Sequence, residues 1–143
     1  MLTALSDEGF RRLAAALITA RAAPPPPPPE ALHALLTTYV HFAHDNPAYF
    51  RLMFRPELTQ PHKSPSGEKA ANEAFAVLAD TVTDCIAEGT AKLVDADDLA
   101  ITLWSLVHGL ASLWLDGQLD FRADDPAALT ERVVTLATSL TKP

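Results

Sequence analysis

Six consecutive prolines, Pro24 to Pro29, constrain this chain more than any other feature. They lack backbone N–H groups and hold φ near −65°, so they extend neither a helix nor a sheet ladder. The run is expected to form a polyproline II rod rising ~3 Å per residue, on the order of 18 Å in all. A proline run can dock into aromatic grooves of other proteins. Here it lies between two helical patterns, and residues 23–29 are read as a stiff inter-helix spacer.

On either side of that strut the apolar residues recur with helical period. Ser6 is expected to cap a first helix, with Asp7 and Glu8 in its first turn and Leu5 stapled on Phe10. Phe10, Leu13, Leu17 and Ile18 form its stripe as far as Ala22. Glu30 begins a second helix carrying Leu32, Leu35, Leu36, Tyr39, Phe42 and Ala43. Asn46-Pro47 stops it and opens a short third helix, Pro47 to Phe54, with Asn46 as N-cap and Pro47 at the first helical position. Arg55 to Gly67 has loop composition and is the expected flexible segment. A fourth helix runs from Glu68 to Glu88, with Phe75, Leu78, Val82, Cys85 and Ile86 on one face and Gly89 as its stop. Asp95 or Asp97 caps a fifth reaching about Leu119, and Asp125-Pro126 opens a sixth. No segment alternates as a strand does, and no internal repeat is visible. The expectation is one all-α domain over residues 1–143, a six-helix bundle.

Length allows one sizeable core and leaves no room for two ordinary domains. The net charge of −7 and the absence of any Lys/Arg cluster argue against binding to a phosphate backbone by this chain. A single cysteine, Cys85, excludes an internal disulfide and a multi-cysteine zinc site and fits a reducing compartment. The N-terminal residues resemble no secretory signal, so a soluble, cytoplasmic protein without membrane attachment is expected.

The fifth helix contains ITLWSLVHGLASLWL, residues 101–115, apolar almost all round yet holding His108 and Gly109. At about 100° per residue, Thr102, Ser105, His108, Gly109, Ser112 and Asp116 share one sector. Leu99, Leu103, Leu106, Leu110, Leu113 and Trp114 occupy the other, expected to face the core. An interior glycine costs ~1 kcal/mol relative to alanine, so close helix packing around Gly109 is expected to offset it. His108 is read first as a half-buried, hydrogen-bonded side chain, with ligand contact or general-base chemistry as the sharper alternatives. His41 and His44 stand at i, i+3, a spacing that could hold a metal, but with no third ligand in pattern they are read as solvent-facing. His33 and His62 are read as surface residues, and Cys85 as an inert core thiol. No nucleophile elbow, P-loop or dinucleotide fingerprint occurs, so neither an enzyme, a metal nor a cofactor is expected.

Trp104-Ser-Leu-Val-His108-Gly109-Leu resembles the Trp, His, Gly signature of the WHG-type C-terminal domain in TetR-family transcriptional regulators. Tyr39-Val-His-Phe-Ala-His-Asp-Asn-Pro47-Ala-Tyr-Phe-Arg-Leu-Met-Phe54 is similar to that family's Pro-x-x-aromatic-Arg-Leu-Met-Phe segment, and Leu2 to Leu13 to the helix after its DNA-binding domain. The resemblance implies a homodimer and a small apolar or aromatic effector that controls DNA binding by a helix-turn-helix lying outside this chain. This chain would then be a truncation or a stand-alone domain. The implied pocket residues are Tyr39, Phe42, Phe50, Met53, Phe54, Phe75, Leu78, Val82, Trp104 and His108, set between the second to fifth helices. The last two helices would form the dimer, through Ser105, Gly109, Ser112, Leu129, Val133, Leu136 and Leu140. Two rival readings are a purely structural dimerisation module with a filled core and, last, a small helical enzyme using His108 beside a carboxylate.

Overall fold

The computed structural model describes residues 1–22, 24–55 and 65–143. Among them are six helices and no strand: α1 Leu2–Arg21, α2 Pro28–Asp45, α3 Pro47–Met53, α4 Pro65–Ala87, α5 Ala96–Leu115 and α6 Pro126–Leu140. The hub is α2, which touches all five other helices. Helix α1 lies along α4, α5 packs on α2 and α4, and α6 rests mainly on α2.

Several helix ends differ from the sequence-based expectation, each for a local reason. Ser6 is no cap, because α1 already begins at Leu2 and its Ser6 and Asp7 are buried against the bundle. Asp7 Oδ2 accepts a hydrogen bond from Ser66 Oγ at 2.7 Å, clasping α1 to the start of α4. Helix α2 starts at Pro28 rather than Glu30. Its first turn has no use for the amide hydrogens that Pro28 and Pro29 lack, so the rod hands over directly to the helix. Asn46 donates its side-chain amide back to Phe42 O at 3.1 Å, closing α2 instead of capping α3. Helix α4 begins three residues early, at Pro65. The flexible-loop expectation and His62 fall largely on residues 56–64, outside the described residues.

Gly89 ends α4 and Asp95 caps α5, its side chain accepting from Asp98 N at 2.9 Å. Asp125 caps α6 in the same way through the amides of Ala127 and Ala128. Helix α5 stops at Leu115, four residues short of Leu119, because Gly117 takes φ +74°, left-handed backbone that terminates a helix. The C-terminal carbonyl of α5, Leu115 O, instead accepts from Arg51 Nη2 of α3 at 2.9 Å.

Helix α3 is drawn tightly onto α1. A Cβ on Gly9 would stand 2.6 Å from Met53 Sδ and 3.3 Å from the Tyr49 ring, so any side chain there would force the buried Met53 to shift. The Arg12 guanidinium sits 4.7 Å over the Tyr49 ring on the outer side of the same contact. Met53 is almost wholly buried and Phe10 meets Phe54 edge-on at 5.6 Å. A seven-residue helix is thereby fixed between α1 and the end of α5.

The core-facing side of α5 is narrower than its sequence suggests. Ala100, Leu103, Val107, Leu110 and Ala111 are buried, whereas Ile101, Leu106 and Leu113 are 48%, 36% and 46% exposed. Length and composition would let α5 cross a membrane, but its buried residues pack into the bundle against α2 and α4. Gly109 has no neighbour within 4 Å of a built Cβ, so it permits no close helix approach within the protomer. The expectation of tight packing there is incorrect for the single chain.

Candidate functional site

A partly open, apolar pocket of about 300 Å³ is set into the bundle, at the low end of the range for small-molecule sites. Phe10, Leu13 and Leu17 of α1 line it together with Ala71, Ala74, Phe75 and Leu78 of α4, the helix along which α1 packs. Tyr39 of α2, Met53 of α3, Phe54 just after it, and Trp104 of α5 complete the lining. Ala71 and Ala74 contribute only methyl groups to the α4 part of that lining. Nearly all of its surface is carbon. Larger clefts elsewhere, such as one bounded by Glu30, Cys85, Thr138 and Lys142, are more open and have a larger polar share of surface.

Six of the ten sequence-predicted pocket residues line this cavity: Tyr39, Met53, Phe54, Phe75, Leu78 and Trp104. Phe42, Phe50 and Val82 are buried in the surrounding core and His108 stands behind Tyr39. The α1 wall was missed by sequence reasoning. Phe10, Leu13 and Leu17 read as an ordinary amphipathic stripe, and nothing in one helix shows that its partner carries alanines.

One polar relay borders the cavity. Trp104 Nε1 donates to the Tyr39 hydroxyl oxygen at 3.0 Å, and that hydroxyl lies 2.7 Å from His108 Nδ1. Indole N–H can only donate, so Tyr39 accepts there; among the described residues His108 Nδ1 is the acceptor within reach of the Tyr39 O–H, and donating to it leaves that buried proton satisfied. This direction requires a neutral His108 protonated on Nε2. Phe54 meets the imidazole edge-on at 4.4 Å and Phe50 lies 5.2 Å away, tilted. Burial lowers the pKa of His108 from its ordinary value and raises that of Tyr39, each favouring the neutral form. The other side of His108 lines a small open cleft with Arg51, Arg55, Ser112 and Asp116.

The lowered His108 pKa has a definite consequence for stability. Between the folded and unfolded pKa values the unfolded chain binds more protons, so stability is full above the ordinary histidine value of 6.5 and declines as pH falls below it. Chemical denaturation from pH 7.5 to 5.5 should therefore show a fall that is smaller in His108→Gln. Parallel profiles for the two proteins would contradict a neutral, relay-bound His108.

The other described histidines hold structural contacts. His44 stacks on Trp114 with ring centroids 4.1 Å apart and His41 meets the same indole edge-on at 6.2 Å. Their i, i+3 spacing thus serves to grip α5. His33 Nε2 lies 3.0 Å from Glu131 Oε1, joining α2 to α6, so it is more than a surface residue. Among the described residues no group of three His, Cys, Asp or Glu side chains converges as a metal site. Cys85 is buried, and burial raises its pKa away from the reactive thiolate.

A second feature lies outside the core. Thr130, Val134 and Ala137 of α6, and Thr141 just after it, face inward, leaving Leu129 and Val133 half-buried and Leu136 and Leu140 60% and 63% exposed. On α5, exposed Ile101, Leu106 and Leu113 flank Ser105, Gly109 and Ser112 at about 100° per residue. The two most C-terminal helices therefore carry apolar side chains on solvent-facing surfaces. Single exposed apolar residues are ordinary, but continuous stripes mark interaction surfaces.

Residues 32–137 match the family described as tetracyclin repressor-like, C-terminal domain. This chain belongs to that family. TetR-type C-terminal domains are parts of transcriptional regulators and not a class of enzymes. The fold is shared with a protein of unknown function from Rhodococcus sp. RHA1 at 28% identity and a TM-score of 0.82, over 98% of this chain and 69% of the other. It is also shared with a bacterial regulatory protein in the tetR family from Rhodococcus RHA1, at 23% identity and a TM-score of 0.76, over 99% and 72% of the two chains. No match was found among the curated proteins.

Proposed function

We propose that this TetR-type domain binds a small apolar or aromatic effector in the cavity between α1 and α4, and that it dimerises through α5 and α6. The observation that supports effector binding most directly is a partly open pocket of about 300 Å³ whose surface is almost all apolar, set into the close-packed core. Left unoccupied, that apolar surface faces water, so an apolar occupant that covers it gains burial. The wall from α1 suggests how occupancy is transmitted. In the whole regulator α1 would be the segment nearest the DNA-reading part, and Gly9, Met53 and Phe54 couple it to the cavity floor. An effector that favours one setting of α1 over another would shift the regulator between its states by that difference in affinity. DNA contact falls to the part outside this chain, as the charge of −7 suggests, and the setting is the cytoplasm.

Filling the cavity tests this reading. Ala71→Leu adds apolar volume inside the void and should raise the melting temperature of the free protein. It should also abolish the thermal shift that a cavity ligand produces in the parent. A broad screen of apolar compounds giving no shift in the parent would leave only the reading of a structural dimerisation module.

A further inference from the structure

We infer that the effector is an uncharged, largely hydrocarbon molecule whose single polar group, if it has one, donates a hydrogen bond, and that carboxylates are rejected. This rests on the effector reading above and specifies its chemistry. Among the described residues no Lys, Arg, Asp or Glu lines the cavity, so an ionised ligand would lose its hydration with no counter-charge to replace it. The two polar groups at its wall are already committed. The Trp104 N–H is used on Tyr39, and the Tyr39 proton is used on His108. No donor is left over for a carboxylate, a ketone or an aldehyde. What remains is acceptor capacity on the Tyr39 oxygen, which suits a ligand hydroxyl or N–H. Five rings, Phe10, Tyr39, Phe54, Phe75 and Trp104, favour a planar aromatic body that can take edge or offset contacts.

The arrangement also makes a specific prediction about its own removal. Tyr39→Phe leaves Trp104 Nε1 without its acceptor, so the cavity gains a free donor and loses its acceptor. The ligand preference should reverse.

Four naphthalene-sized probes test this by isothermal titration at pH 7.5: naphthalene, 2-naphthol, 2-naphthaldehyde and 2-naphthoate. The parent protein should bind naphthalene and 2-naphthol, prefer 2-naphthol to 2-naphthaldehyde, and bind 2-naphthoate roughly a hundredfold more weakly or not at all. In Tyr39→Phe the aldehyde should overtake the naphthol. Naphthoate binding on a par with naphthol in the parent overturns the inference while leaving the cavity as the effector site. Failure of all four probes to bind removes the effector reading itself, and the inference with it. If the variant proves unfolded by circular dichroism, the parent's ranking of naphthol, aldehyde and naphthoate decides alone.

Discussion

Leu136→Glu should convert a dimer into a folded monomer. On a two-fold axis one substitution places two carboxylates in the interface, each deprived of water without a counter-charge. Together they should weaken association by about a thousandfold, whereas a protomer in which Leu136 is already 60% exposed should change by less than about 0.5 kcal/mol. Sedimentation equilibrium at micromolar concentration reads the mass, and far-UV circular dichroism the fold. Gly109→Ala sharpens the same test. Within one protomer the added methyl meets nothing, so it should stabilise the helix by ~1 kcal/mol. Across an interface in which partner helices cross at Gly109, it should weaken the dimer instead. A parent protein that sediments as a monomer would refute the α5 and α6 interface outright.

The second large effect is expected at Trp104. Trp104→Ala should cost about 3 kcal/mol, from the ring's lost contacts with Phe75 and Phe54 and from the enlarged void. Trp104→Phe should recover most of that, since it restores the aromatic body and removes only the N–H bond to Tyr39. Urea denaturation of the three proteins separates volume from hydrogen bonding. Equal losses in both variants would mean that the relay, and not the ring, holds this wall.

These effects separate along a line that runs through the sequence itself. Helical periodicity, the Asn46-Pro47 and Asp125-Pro126 breaks and the Gly89 stop made an all-α chain with six helices legible, because each depends on residues within a turn of one another. Ser6 defeated local reasoning. It looks like a cap, yet burial of α1 against the bundle carries the helix back to Leu2. Asn46 likewise had two chemically equivalent uses, and its amide went backwards to Phe42 O.

The site divides in the same way. Aromatic residues at Tyr39, Phe54, Phe75 and Trp104 were visible as candidates, while Phe42 and Val82 are buried away from the pocket and Phe50 borders only the small cleft beside His108. Whether an apolar side chain borders a pocket depends on what packs beside it, and Ala71 and Ala74 come from another helix. His108 showed the same limit: the wheel placed it among small polar residues, and only the fold put the Tyr39 hydroxyl 2.7 Å from its ring.

By itself, then, the sequence determined the helices, their order, the family resemblance and the absence of a nucleic-acid-binding charge pattern, all properties of local spacing and composition. The tertiary structure alone decided which face of α5 is core, that Gly109 stands free in the protomer, and that α1 and α4 leave a cavity between them. Those depend on side chains far apart in the chain meeting, or failing to meet, across a helix interface.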